Sequence, residues 1–357
     1  MIGGEMARKL YPHELLEGLA LKNGWKAVKR IERSESGSGG AFSCGYLAEK
    51  SNGERGYLKA LDFFSRLSEN KDPARALAPL LEAYNFERDL LNKCRDSRFS
   101  RVVTAIEDGS ITVPNLPPPS TVQYIIFELA EGDIRNQMEK TDQLDTAWIL
   151  RSLHHLALGL QQLHSMNVAH QDLKPSNALL FDNLQISKIA DLGRAAAKGI
   201  EPPHYDFAVA GDCSYAPPEL LYGAVPASWD GKRVGCDLYL LGSMIASMFT
   251  GLAMTHLMLM GLDQRFHWSK WGGSYEEVLP YLRSAFEEAI GYVSDEVPLA
   301  FRSELIEVMT QLCDPDPLLR GHPRDRSMAS GNPYSVRRYV NHFDYLASRA
   351  EIKFRNN

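Results

Sequence analysis

The sequence predicts an α+β protein. Runs of alternating polar and apolar residues gather in its first third, and apolar residues at helical spacing dominate its second half. A third observation places the chemistry. Val168–Leu180, VAHQDLKPSNALL, holds His170, Asp172, Lys174 and Asn177, and ADLGR further on adds Asp191 and Gly193. Asp172 can accept a proton from an attacking hydroxyl. Lys174 can neutralise a moving phosphoryl group, and Asn177 and Asp191 are hard oxygen ligands suited to magnesium.

The 357 residues suit one large domain or two coupled lobes. A 44% hydrophobic content is enough for a sizeable core. Net charge is -6, from 39 basic and 45 acidic residues, which argues against a general nucleic-acid binder. Cys44, Cys94, Cys213, Cys236 and Cys313 are scattered, with no CxxC pair, so neither a zinc site nor a disulfide framework is expected. Free thiols in a reducing cytoplasm are the simplest expectation. The N-terminus has no apolar run long enough for a signal peptide. The most apolar stretch, Leu238–Met260, is interrupted by Ser243, Ser247, Thr250, Gly251, Thr255 and His256. It is expected to be a buried helix ending near Gly251, not a membrane crossing. No sensor, transmembrane or extracellular domain is expected.

HxDLKxxN followed by DxG resembles the catalytic and metal-binding loops of the eukaryotic-type protein kinases. The lysine two residues after the acid resembles the serine/threonine branch. The resemblance implies a bilobal fold, with a small antiparallel β-rich N-lobe and a larger helical C-lobe. It implies ATP and Mg2+ as cofactors and a protein substrate. In these terms residues 1–130 form the N-lobe, 131–326 the C-lobe and 327–357 a helical extension. Compactness and unusual loops suggest a prokaryotic member.

Taken in order, residues 1–23 read as a short leader with one helical turn around His13–Leu19. Trp25–Ile31 alternates as a strand. Gly37, Gly39 and Gly40 follow, ahead of YLAE, and resemble the glycine-rich loop whose backbone cradles phosphates. In the strand Gly56–Phe63, Lys59 sits in an apolar run and needs an anion. Glu87 in NFERDLLNKC is the expected partner, with Glu82 as a rival. In the family such a pair holds the α- and β-phosphates. FSRLSENKDPARA reads as a mobile loop. Arg101–Glu107 and Thr121–Leu129 read as strands joined by DGSITVPNLPPPS, a polyproline-like surface connection that could instead dock a partner. YIIFELAEGD resembles the hinge. There Phe127 would be the gatekeeper, backbone groups of Glu128 and Ala130 would bond adenine, and Asp133 would reach ribose.

Asp145–Ser165 carries Leu150, Leu153, Ala157, Leu160 and Leu163 at helical spacing. His154 and His155 are adjacent, so they face different sides and make a poor metal pair. APPE, with Glu219, resembles the APE signature, and Arg320 in CDPDPLLRG stands where the family's paired arginine does. Asp237 in CDLYLLG would accept hydrogen bonds from the catalytic-loop backbone. Val336, Tyr339, Val340, Phe343 and Leu346 form one apolar helix face, for packing on the C-lobe or for a regulatory partner.

The chain departs from the family in places. Ser43 replaces the last glycine of the loop, Gly45 a valine that packs on adenine, and Tyr57 a small alanine. Tyr57 opposite Gly45 reads as a compensating pair or as a narrowed pocket. Gln171 replaces an arginine that receives a phosphate on the activation segment, where the only hydroxyl side chains are Tyr205, Ser214 and Tyr215. Activity without activation-segment phosphorylation is therefore expected. Leu192 replaces a phenylalanine. Asp212 replaces a threonine that bonds the catalytic acid and lysine, which suggests a self-inhibited state. These departures support an alternative reading, a pseudokinase acting as a regulatory binding module. A small-molecule phosphotransferase is a third possibility, less close because APPE and Asp237 resemble protein kinases.

Overall fold

The computed structural model describes residues 11–31, 43–64, 73–116, 119–141, 143–329 and 331–355. The chain divides into two compact units. One comprises Met1–Arg98 with Val103–Ala130, and the other Phe99–Val102 with Glu131–Asn357.

The first unit is built on an antiparallel sheet. Its strands are β1 (Trp25–Ile31), β2 (Ser43–Lys50), β3 (Arg55–Leu61), β4 (Ala105–Thr112) and β5 (Thr121–Glu128), in the order β1-β2-β3-β5-β4. Alternation decides the faces. Leu58 and Ala60 on β3 are fully buried, while Lys59 points to the opposite side. The segment before β1 is not a detached leader. Leu16 is fully buried, the Tyr46 hydroxyl donates to the His13 carbonyl (2.7 Å), and Gly18 N donates to Ala27 O (2.7 Å). Its 3-10 turns cover Pro12–Glu14 and Lys22–Gly24.

The expected strand Arg101–Glu107 is displaced. Arg101 and Val102 belong to the second unit, and β4 starts at Ala105 and runs through DGSIT, residues expected to be loop. Asp108 and Gly109 are poor strand formers, but cross-strand packing overrides propensity. Gly109 lies opposite Tyr124, whose ring fills the space a side chain at Gly109 would take. The proline-bearing connection is correspondingly shorter, and Pro117 and Pro118 lie outside the described residues, as do residues 65–72 of the expected mobile loop.

Helix α1 (Pro73–Asp96) turns Tyr84, Glu87, Leu91 and Cys94 to its buried side, a 3.6-residue spacing. Glu82 is exposed, which removes it as the partner of Lys59.

The second unit is mostly helical. Short strands β6 (Gly132–Asp133), β8 (Ala178–Phe181) and β9 (Ile186–Ile189) form one sheet, and β7 (Val168–Ala169) pairs with β10 (Ala196–Ala197). The helices are α2 (Ile134–Lys140), α3 (Thr146–Ser165), α4 (Pro218–Leu221), α5 (Gly235–Thr250), α6 (Met254–Gly261), α7 (Tyr275–Glu296), α8 (Leu299–Cys313), α9 (Pro323–Arg326) and α10 (Arg337–Arg355). Helix α5 is the axis of the core. It is buried from Gly235 to Met248 and stops at Gly251, whose φ of 79° suits a residue without Cβ. No described helix is long and apolar enough to cross a membrane.

The apolar face of α10 is spent inside this unit. Tyr339, Phe343, Leu346 and Ala350 are buried, and Arg151 of α3 makes a bidentate pair with Glu351 (2.8 and 3.0 Å). A partner reading this helix would have to use its other face. The two halves of the APPE–arginine pair also meet here. Arg320 Nη1 and Nη2 donate to the two oxygens of Glu219 at 2.6 and 2.8 Å, both groups being almost wholly buried. Burial alone would lower the Arg320 pKa, but the Glu219 carboxylate holds it above its ordinary value.

Gly45 and Tyr57 are a packing pair. A Cβ at Gly45 would lie 2.5 Å from the Tyr57 hydroxyl oxygen and 2.8 Å from its ring. Gly45→Val alone should therefore cost about 1–3 kcal/mol of stability. In the Gly45→Val/Tyr57→Ala double variant most of that loss should be recovered, a coupling that urea unfolding of the four members of the cycle measures.

Candidate active site

The site residues fall into two groups, one in each unit. In the first unit, β3 carries Lys59 and α1 carries Glu87. Lys59 Nζ donates to Glu87 Oε1 at 2.9 Å, with the glutamate side chain 8% and the lysine 18% exposed. At the end of β5, Phe127 is nearly buried. Glu128 is tied to Thr104 twice: its N–H donates to the Thr104 carbonyl (3.1 Å), and its carboxylate accepts from Thr104 N (2.8 Å). The chain passes from there to Ala130 with no regular structure. Gly37, Gly39 and Gly40 lie outside the described residues.

In the second unit the loop between β7 and β8 carries the candidate residues Asp172, Lys174 and Asn177. Both oxygens of Asp172 are held: Oδ1 accepts from the Asp212 backbone N–H (2.9 Å), and Oδ2 from Asn177 Nδ2 (2.9 Å). Asn177 Nδ2 also donates to the Asp172 carbonyl (2.8 Å). Two acceptors around that atom fix which end of the amide is nitrogen. Asn177 Oδ1 has no donor among the described residues and is the end left for a cation. Asp191 follows β9, at φ 64°, with Oδ1 accepting weakly from Gly193 N (3.4 Å). The loop bearing it is tied to the catalytic loop, since Ala190 N donates to Asn177 O (2.9 Å). His170 closes the same seam. Its Nε2 bonds the Ala190 carbonyl (2.9 Å), so it is the donor there, and Nδ1 accepts from Asp172 N (3.2 Å). This fully buried histidine is a strut.

The backbone of the catalytic loop hangs on Asp237, at the start of α5. Its carboxylate accepts from His170 N (2.9 Å) and Gln171 N (2.7 Å), and His164 Nε2 lies 2.7 Å from Oδ2. The first two contacts were foreseeable from CDLYLLG; the third was not, because a histidine near a helix end has many uses.

Asp133 also has a structural role. Its carboxylate is the N-cap of α2, accepting from Asn136 N (2.8 Å) and Asn136 Nδ2 (2.7 Å). Burial raises its pKa despite those bonds.

Lys174 Nζ lies 3.3 Å from Asp172 Oδ2 and 3.3 Å from Asp212 Oδ2, bridging the two acids. Burial would raise the Asp212 pKa, but the Ser214 N–H and the Lys174 charge bring it below its ordinary value, so it remains a carboxylate at neutral pH. Gly211 lets this stretch come close: a Cβ there would collide with the Gln171 carbonyl and lie 2.7 Å from Asp172 Oδ1. Gln171 itself sits at φ 65°. Its amide nitrogen donates to Arg194 O (2.8 Å), and its oxygen accepts from Arg233 Nη1 (2.5 Å). Arg233 carries no signal in the sequence, because its partner lies across a tertiary contact.

Residues 35–325 match the family model described as the protein kinase domain. The chain belongs to this family. It is also similar to two curated relatives, both called mitogen-activated protein kinase 5, from Oryza sativa subsp. indica and subsp. japonica. Each is 29% identical over 168 residues, 45% of this chain and 44% of the relative. The match thus spans less than half the length of the relatives.

In this kinase domain, Asp212 forms an ion pair with Lys174 at 3.3 Å. Replacing it in Asp212→Thr frees the lysine from an ion pair worth about 1 kcal/mol, which corresponds to about a fivefold rise in basal turnover. Steady-state phosphoryl-transfer rates with and without the substitution check this; unchanged or lower turnover would count against a self-inhibitory role.

Proposed function

We propose that the chain is an ATP- and magnesium-dependent serine/threonine protein kinase that transfers the γ-phosphoryl group to a protein hydroxyl. The observation that carries this reading is the arrangement around Asp172. Two fixed hydrogen bonds set its orientation, and a carboxylate has about four lone-pair positions, so room remains for a substrate hydroxyl. Asp172 orients that hydroxyl and takes its proton. Lys174 stabilises charge on the γ-phosphoryl group. Lys59, itself oriented by Glu87, holds the α- and β-phosphates.

The residues present fit magnesium. It binds through one or two protein oxygens and completes its shell with water and phosphate, and Asn177 Oδ1 and Asp191 supply that number. No described cluster of three His, Cys, Asp or Glu side chains competes for a metal. When bound, the metal neutralises charge on the phosphates. The protein's part is positioning and electrostatics, set before substrate arrives.

Lys174, two residues after the acid, supports hydroxyl acceptors on serine or threonine. The likeness to two rice mitogen-activated protein kinases supports a protein as substrate. The five free cysteines support a reducing compartment, and a cytoplasmic location is part of the proposal. We place Glu128 and Ala130 at the adenine edge through their backbone groups, and Gly37, Gly39 and Gly40 over the phosphates. Asp133 is a weaker candidate for ribose, because its carboxylate is already bonded as a helix cap.

The rival, a pseudokinase that binds and regulates a partner, draws on Asp212 at Lys174 and on the ring of Tyr57 in the space over Gly45. One assay separates the two. Wild-type protein should stabilise thermally with ATP and magnesium and transfer labelled phosphate to itself or to a generic basic protein. Asp172→Ala should lower turnover by about 10³-fold while nucleotide affinity stays nearly intact; equal loss of both would contradict the assigned role. Turnover should also survive phosphatase treatment, because Gln171 holds its neighbours without a phosphate. Activity lost on dephosphorylation and in Ser214→Ala would overturn that part.

A further inference from the structure

A second constellation lies in the second unit, beside the catalytic loop. The entry to α5, Asp230–Val234, is a π-turn, a rare conformation that recurs at functional sites. It carries Lys232 and Arg233. Arg233 is only 3% exposed, yet its one hydrogen-bond partner is the neutral amide oxygen of Gln171. No carboxylate among the described residues lies within ion-pair distance of it. A buried guanidinium without an anion is costly. The surroundings share the excess. Burial and the Arg233 charge lower the Lys232 pKa. Burial lowers the pKa of nearby His204 to about 4, with Arg233, Arg194 and Lys232 adding to the effect. The His204 Nε2 atom is buried and has no hydrogen-bond partner.

Lys232 and Arg233 line a cavity of about 630 Å³ whose rim is apolar, with Ile200, Tyr205, Val225 and Trp229. Ile200 and Tyr205 are about half exposed (48% and 54%). One acid, Glu201, also lines the cavity; it is exposed and makes no ion pair within 4 Å among the described residues. The net character is cationic at the base and apolar at the mouth. Through Gln171 the base connects directly to Asp172, the next residue in the chain.

We propose that this cavity is a subsite for an anionic side chain of the protein substrate, a carboxylate or a phosphorylated residue, with neighbouring apolar residues of the substrate on the rim. Charge complementarity selects the occupant: it must bring the anion that Arg233 and Lys232 lack. A phosphate or carboxylate group meets a guanidinium through paired donors, and Arg233 spends only one on Gln171. The inference rests on the kinase reading for its substrate, and it makes the chain an acid-directed kinase.

The test uses the full chain and a peptide series sharing one serine acceptor, with Asp, phosphoserine, Asn or Arg at a flanking position. Peptides with Asp or phosphoserine should exceed the Asn peptide in kcat/KM by about tenfold, chiefly through KM. A gain for phosphoserine alone assigns the subsite to phosphate; a gain for both assigns it to negative charge. Lys232→Glu should turn the preference toward the Arg peptide, with an unchanged circular-dichroism melt. Equal kcat/KM for the Asp, phosphoserine and Asn peptides, or a preference surviving Lys232→Glu, overturns the proposal. The same peptides bound to Asp172→Asn, followed by fluorescence anisotropy, separate the two readings. Charge-selective binding without phosphoryl transfer by the wild type sinks the kinase reading and leaves the subsite standing. Transfer without charge selection does the reverse.

Discussion

A single carboxylate inside the helical unit sets the geometry of the catalytic loop. Asp237 is fully buried and accepts two backbone N–H groups of that loop, with the His164 ring against it. An unpaired charge there would be prohibitive, so the loop and the helix start are mutually dependent. The arrangement holds Gln171 at a positive φ, which an L-residue adopts only when its surroundings compensate. From that fixed residue, Asp172 points back to Asn177 and the activation segment. The acid is thus oriented from a helix in the core, not from a mobile surface.

Much of the fold and of the site was legible because the relevant signals are local or paired. β1 and β3 alternate over their own length, and α3 and α5 show their spacing and their stops. Lys59 demanded an anion from its apolar flanks alone, and Glu219 and Arg320 carried complementary motifs. What was missed depends on partners remote in sequence. β4 runs through Asp108 and Gly109 only because Tyr124 covers the glycine from the next strand. The segment around Leu16 looked like a leader, since nothing in it announces Tyr46 as a partner. Asp133 was read toward a ligand, yet a carboxylate three residues before an amide at a helix start is equally a cap. Arg233 escaped notice entirely.

The departures from the family pattern are not equivalent. Gly45 and Tyr57 exchange volume between adjacent strands and leave the sheet register intact from Ser43 to Glu49. Such an exchange reshapes a surface without removing a reactive group. Asp212 differs in kind, because it shares Lys174 with Asp172. Even so, its backbone N–H orients Asp172, and its side chain caps Ser214 N (2.9 Å). The residue both supports the Asp172 carboxylate and pairs with the lysine.

Gln171 has a wider consequence. Where an arginine stands at this position, the catalytic loop carries a positive charge that an anion must neutralise. Here the loop offers a neutral amide, and that amide is satisfied on both sides by Arg194 O and Arg233. A cation, Arg233, stands instead on the π-turn before α5, where it lines a cavity with an apolar rim. Moving the charge by one residue contact changes what it is for: a guanidinium on the loop would lock the loop, whereas one behind it, with donors to spare, can recognise something from outside. Gln171 and Arg233 thus form one unit: the amide closes the loop from within, and the arginine that completes it has further N–H donors.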